Sequence, residues 1–292
     1  MTAMAQDMAT TDRSAASSVG YRTLLVHVQP RADSAPRLDA AISLARKLDA
    51  TLFGLGAQIV PSFAAGDPYG LTRSDWLPEM HDLMRINLER AEALFRKAAA
   101  SISTEWVTLE EPPGQAMARI SSGADLIVAG GAKLELLEPH HACDTAELIL
   151  KSGRPVLIVP PDGGVLAADV VVVAWKDTRE SRRALADALP FLKAARAVVV
   201  MEICGEGDEE GAKRRTDAVV DGLKRHGVAA RSNVVVAPDR LVCSELLFEA
   251  ERVGSDLIVA GAYSHSRFGE QLFGGVTRDL LGQDETFVLM SH

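Results

Sequence analysis

The feature that most constrains the fold is a long internal repeat. Ala124-Asp125-Leu126-Ile127-Val128-Ala129-Gly130 recurs as Ser255-Asp256-Leu257-Ile258-Val259-Ala260-Gly261, an offset of 131 residues. The offset holds without a gap to the ends of both halves, so Pro155-Val156-Leu157-Ile158-Val159 falls on Thr286-Phe287-Val288-Leu289-Met290. Nearer the N-terminal ends it becomes 147, pairing Leu24 with Val171 and Ala50 with Ala197. The first half therefore carries about 16 extra residues, placed between Gly56 and Met80. Solenoid repeats have periods of roughly 20–50 residues, so this period describes a duplicated domain.

A chain of 292 residues suits about two domains. Hydrophobic residues make up 47% and aromatics only 5%, so the cores must be built from aliphatic side chains. A net charge of −9 argues against nucleic acid as the main partner, because phosphate binding wants a basic face. Cys143, Cys204 and Cys243 are scattered and odd in number, which fits buried thiols in a reducing compartment better than disulfides. Residues 1–20 are rich in Ala, Ser, Thr and Met without a continuous apolar stretch, and read as a disordered tail rather than a secretory signal. With no apolar run of membrane-spanning length, the expectation is a cytoplasmic protein with no membrane partner.

Short apolar runs alternate with helical periodicity. In the first half, strands are expected at 23–28, 51–55, 105–109, 126–129 and 156–159, with helices at 38–48, 80–101, 115–122 and 145–151. In the second half, strands are expected at 170–175, 198–203, 232–236, 257–260 and 287–290. The matching helices are at 179–192, 210–226, 241–253 and 277–281. Apolar strands alternating with helices imply parallel sheets covered on both faces. The expected organisation is a domain over 21–160, a linker over 161–168 and a domain over 169–292. Ligands in such sheets bind beyond the carboxyl ends of strands, where the strand order switches.

The segment after the strand at 257–260 holds the residues best suited to chemistry. Gly261 ends that strand, where the lack of a side chain lets a ligand approach the backbone. Gly274-Gly275 directly precedes a helix, and backbone N–H groups at the positive end of a helix dipole suit phosphate. Thr277 can add a hydroxyl, and Ser264, His265, Ser266 and Arg267 can add donors. The same glycines also fit a tight strand exit followed by a helix start, and the polar residues also fit a plain solvated loop.

These residues resemble the universal stress proteins, in a tandem form with two such domains in one chain. The nucleotide signature of that family is Gly, two residues, Gly, nine residues, then Gly followed by Ser or Thr. Gly261 and Gly274 fit its first and third glycines at the family's spacing, while Ser264 replaces the second glycine and Gly275 the Ser/Thr. The resemblance covers the chain from residue 21 onward. It implies a Rossmann-like, adenine nucleotide alpha hydrolase-like fold with a five-stranded parallel sheet flanked by helices in each domain. It also implies an adenine nucleotide such as ATP, with Mg only alongside it. The implied contacts are Ala174, Trp175, Lys176 and Thr178 at the first strand's exit, with Gly261, Ser264, His265, Ser266, Arg267, Gly274, Gly275, Val276 and Thr277. Family members that bind nucleotide usually carry an Asp where Lys176 stands, and an ammonium cannot accept the hydrogen bonds a carboxylate accepts.

The first half departs further. Lys133 stands opposite Ser264, Cys143 opposite Gly274, Asp144 opposite Gly275, and Gln29 at the first-strand acidic position. A carboxylate there repels an anion, so this half reads as a structural copy. His140-His141 near Cys143 and Asp144 matches no standard zinc spacing and reads as a polar surface turn. Glu209-Glu210 with Lys213-Arg214-Arg215 reads as a charged helix face, and Trp76 and Trp106 as packing residues. No P-loop, GxSxG or HExxH motif is present, so no catalytic residue is assigned and any ATP hydrolysis is slow and incidental.

Two functions follow. One is a nucleotide-responsive stress protein whose C-terminal domain binds ATP or a relative as a regulatory ligand. The other is a module with the same fold that binds no nucleotide and acts through protein assembly. The resemblance further implies that the two domains pair internally through their last strands, 156–159 and 287–290, with homo-oligomers as a further level.

Overall fold

The computed structural model describes residues 20–30, 34–60, 76–131, 143–263 and 275–292. The first half runs β1 (Thr23–His27), α1 (Ala35–Leu48), β2 (Thr51–Ala57), α2 (Trp76–Ala98), β3 (Thr104–Leu109), α3 (Pro113–Ile120), β4 (Leu126–Gly130), α4 (Thr145–Ser152) and β5 (Val156–Val159). The second half runs β6 (Val170–Ala174), α5 (Arg179–Asp187), α6 (Leu189–Ala194), β7 (Ala197–Cys204), α7 (Glu209–Arg225), β8 (Ala230–Val236), α8 (Val242–Arg252), β9 (Leu257–Gly261), α9 (Gly275–Gly282) and β10 (Phe287–Ser291). The expected helix over 179–192 is instead two helices. The chain breaks at Ala188, and Pro190 enters the first turn of α6, where its missing N–H is tolerated.

Among the described residues, ten strands form one sheet in the order β3-β2-β1-β4-β5-β10-β9-β6-β7-β8. Within each half every pairing is parallel. At the centre β5 and β10 run antiparallel, with Ile158 opposite Val288 and Val156 opposite Met290. The central strands are apolar on both faces because both faces are covered, as parallel sheets require. One face packs against α1, α2, α5, α6 and α7 through residues such as Val26, Phe95, Val173 and Leu289. The other packs against α3, α4, α8 and α9 through Ile127, Ile149, Val199 and Met290. On the first face the halves also meet: Tyr21 donates its hydroxyl proton to the Asp187 carbonyl, and its ring lies 5.4 Å from that of Phe191.

The aspartate of the sequence repeat has the same task in both copies. Asp125 Oδ2 accepts from Arg22 N (2.8 Å) and Thr23 N (3.0 Å), at the start of β1. Asp256 accepts from Asp169 N and Val170 N, both at 3.1 Å, at the start of β6. Each carboxylate satisfies backbone donors that the strand ladder leaves unpaired. Trp106 is a packing residue: it lies across β2, where a Cβ on Gly54 or Gly56 would stand 2.7 Å from its ring.

Candidate functional site

The strand order places two crevices, one per half. In the second half the chain leaves β6 towards β7 and returns to β9 on the other side, so the order switches between β6 and β9. The corresponding switch in the first half lies between β1 and β4.

At the second-half crevice, Ala174 ends β6, opposite Met201 of β7 and Ala260 of β9. Trp175 follows, buried, with its backbone N donating to Met201 O (2.7 Å). Lys176 is exposed, and its carbonyl accepts from Thr178 N (2.7 Å) in a tight turn. Thr178 is the N-cap of α5, its hydroxyl accepting from Ser181 N (3.3 Å). That hydroxyl is therefore committed to the helix start.

Gly261 has a packing role that the sequence reading did not include. A side chain there would run into the first turn of α5. A Cβ there would lie 2.6 Å from the carbonyl carbon of Glu180 and 2.9 Å from Ser181 Cα. The glycine exists so that the first turn of α5 can sit directly on β9. Trp175, Gly261 and Ser291 form one row across β6, β9 and β10 on the face that α5 covers. Trp175 Nε1 and Ser291 Oγ are buried and have no hydrogen-bond partner among the described residues. Orphaned buried donors of this kind call for a partner such as water or a ligand atom.

At the far side, α9 begins at Gly275, where an added Cβ would meet nothing within 4 Å. Val276 is half-buried, and Thr277 is buried with its hydroxyl accepting from Tyr263 N (3.2 Å). Thr277 thus ties the start of α9 to the exit of β9. Tyr263 takes up a left-handed φ of 60°, a conformation that costs a bulky residue energy unless its surroundings hold it. Ser264, His265, Ser266, Arg267 and Gly274 lie outside the described residues, as do His140, His141 and Lys133.

At the first-half crevice, Arg37 reaches the exits of β1 and β4. Arg37 Nη2 donates to His27 O (3.0 Å), and its other terminal nitrogen would lie 3.4 Å from a Cβ on Gly130. Asp144, the counterpart of Gly275, caps α4 by accepting from Glu147 N (3.0 Å). A carboxylate therefore sits at this helix start, where α9 presents only a glycine.

One charge cluster at the end of β7 escaped sequence reasoning. Arg215 is not part of the exposed charged face of α7. Its Nε donates to Glu202 Oε1 (2.9 Å) on β7, and its Nη2 to Asp208 Oδ2 (2.6 Å). The hydrogen bonds to Glu202 and Asp208 raise the guanidinium pKa, and Arg215 in turn holds the Asp208 carboxyl below the usual range. The available signal was a lone Glu inside the apolar strand around Met201 and Ile203, since a buried charge needs a partner. Among the described residues, no group of three His, Cys, Asp or Glu is arranged to hold a metal ion. No described helix is long and apolar enough to cross a membrane.

This architecture is a Rossmann-like α/β fold, and solved structures share it along nearly their whole length. A universal stress protein from Archaeoglobus fulgidus DSM 4304 superposes with a TM-score of 0.68 at 15% identity, covering 92% of this chain and 95% of that one. A functionally unknown protein from Pseudomonas aeruginosa PAO1 gives 0.56 at 18% identity, covering 95% of this chain and 94% of that one. A P. aeruginosa UCBPP-PA14 protein provisionally named a universal stress protein gives 0.57 at 17%, covering 94% of each chain. No protein-family model matches the chain, and no curated protein matches it in sequence. The chain has the universal stress protein fold. A shared fold does not by itself carry a function.

Proposed function

We propose that this chain is a tandem universal stress protein whose second half binds a phosphate-bearing adenine nucleotide as a regulatory ligand. In this reading, 21–160 is a structural domain, 161–168 a connector and 169–292 the ligand-binding domain. The protein acts in the cytoplasm. The central β5–β10 pairing plays inside one chain the part that last-strand pairing plays between family protomers.

The observation that carries the reading is the asymmetry between two equivalent helix starts. Asp144 caps α4 with a carboxylate, whereas α9 opens at Gly275 with no side chain. An anion is repelled at the first and admitted at the second. The buried Trp175 Nε1, on the face that α5 covers, is unpartnered among the described residues. Thr277 accepts from Tyr263 N and so places a hydroxyl at the start of α9. These residues fit the phosphate end of a nucleotide; Mg would come only with the phosphates.

Native mass spectrometry and calorimetry with ATP test this reading. One nucleotide per chain is expected, and Gly275→Asp, which meets open space and so leaves the fold intact, removes it. Absence of binding in both assays overturns the proposal. The second reading, an assembly module without nucleotide, is favoured by exposed Lys176, which stands where an acidic acceptor would hold the base and ribose.

A further inference from the structure

The outer strand of the second half leaves one side of its backbone unpaired among the described residues. β8 ends the ten-stranded sheet, and among the described residues it pairs with β7 alone. Two hydrogen bonds fix the direction of its peptide groups: Val198 N donates to Ala229 O (3.1 Å), and Ala237 N donates to Cys204 O (3.0 Å). Directions alternate along a strand, so odd-numbered residues face β7. Ala230, Ser232, Val234 and Val236 therefore turn their N–H and C=O groups outward. None of these is proline. Natural edge strands are usually short, bulged, charged or interrupted by proline. β8 is seven residues of Ala-Arg-Ser-Asn-Val-Val-Val with Arg231 as its one charge.

The flanking surface is complementary to a second copy of itself. α7 lies beside β8, with Ser232 Oγ accepting from Lys213 Nζ (2.8 Å) and donating to Asp217 Oδ1 (2.7 Å). α7 is acidic at its start, Glu209 and Glu210, and basic at its end, Lys224 and Arg225. A two-fold partner lays a second α7 antiparallel to the first, acidic end towards basic end. An open groove of about 500 Å³ between α7 and β8 has Val234 and Val236 on its floor, and Val236 is 42% exposed. A second strand would cover both valines.

We propose that two copies of this chain associate through β8, pairing antiparallel about a two-fold axis at Asn233. Ser232 then faces Val234 of the partner subunit, and Ala230 faces Val236 of the partner subunit. In this register every outward N–H, four on each copy, meets an outward carbonyl. Arg231 faces Val235 of the partner subunit, so no like charges are directly opposed. The sheet becomes continuous across both copies.

Light scattering after size exclusion, run on the full chain without nucleotide, tests the association independently of the ligand reading. A mass of two chains is expected. Asn233 sits on the axis in a non-hydrogen-bonded pair, where Cα atoms approach to about 4.5 Å, close enough for a disulfide. The three native cysteines are buried. Asn233→Cys should therefore crosslink into a covalent dimer on mild oxidation. Wild type should not, nor should Glu105→Cys on β3 at the opposite edge. Val234→Pro removes an outward N–H that the fold itself does not use, and should return the monomer with an unchanged circular dichroism spectrum. A wild-type chain that stays monomeric at its highest soluble concentration overturns the proposal. So does a dimer that crosslinks through Glu105→Cys and not through Asn233→Cys.

Discussion

Ser181 and Gly261 are in backbone contact: a Cβ on Gly261 would stand 2.9 Å from Ser181 Cα. The equivalent glycine of the first half, Gly130, faces only the flexible end of Arg37, at 3.4 Å from the same hypothetical atom. One glycine of the repeat is thus required by helix packing and the other is not. Gly261→Ala should destabilise the protein by about 1–3 kcal/mol, the usual cost of overpacking. Gly130→Ala should cost much less, because a side-chain terminus can move aside. Urea denaturation of the two variants measures the difference, and equal losses would sink this account.

Asp125 and Asp256 each accept two backbone N–H bonds at the start of β1 and β6. Replacing either by Ala leaves two strand donors without a carboxylate, at a cost of roughly 1–3 kcal/mol. Because the geometry repeats, the two losses should be similar. Denaturation midpoints of Asp125→Ala and Asp256→Ala test the symmetry, and a large effect at one site alone would refute it.

Arg215 joins β7 to α7 through Glu202, whose side chain is 8% exposed against 31% for the arginine. Arg215→Met strands the carboxylate among apolar neighbours. Because the arginine is itself partly solvated, the expected loss is about 2 kcal/mol, below that of a fully buried pair. Glu202→Gln should be milder, since an amide can stay hydrogen-bonded without a counter-charge. A double-mutant cycle on the pair reads the coupling directly; a coupling near zero would show that the clamp contributes nothing.

Burial pushes the Cys243 thiol up to about 11, with the Asp279 carboxylate adding to the shift. Burial also raises Cys204, with Glu209, Asp208 and Glu202 contributing in the same direction. The thiolate is the reactive form, so raised values mean little of it at neutral pH. At pH 8 the folded protein should react slowly with a thiol reagent, and all three cysteines should react promptly once denaturant is added. Fast labelling of Cys204 or Cys243 in the native state would contradict the burial described.

The parallel α/β fold was legible because parallel strands buried on both faces read as unbroken apolar runs, such as Val170 to Val173. Several boundaries were not. Pro190 reads equally well as the end of one helix or the start of another, and the packing of Phe191 and Leu192 decides for the second. The candidate site was legible as a place: the repeat located the glycines and the helix start after β9. Their roles were less so. Gly261 serves α5, Thr178 caps that same helix, and Arg215 reaches back to Glu202 across 13 residues.

The sequence by itself determined the duplication, the alternation of strands and helices, and the absence of a side chain at Gly275 opposite the carboxylate of Asp144. These are local properties, readable from periodicity and from the comparison of one half with the other. Only the tertiary structure decided which element fills the space before each glycine, which acid Arg215 holds, and that β8 lies at an open edge. Those facts depend on contacts between residues far apart in the chain, and short-range pattern carries no record of which distant backbone will arrive there.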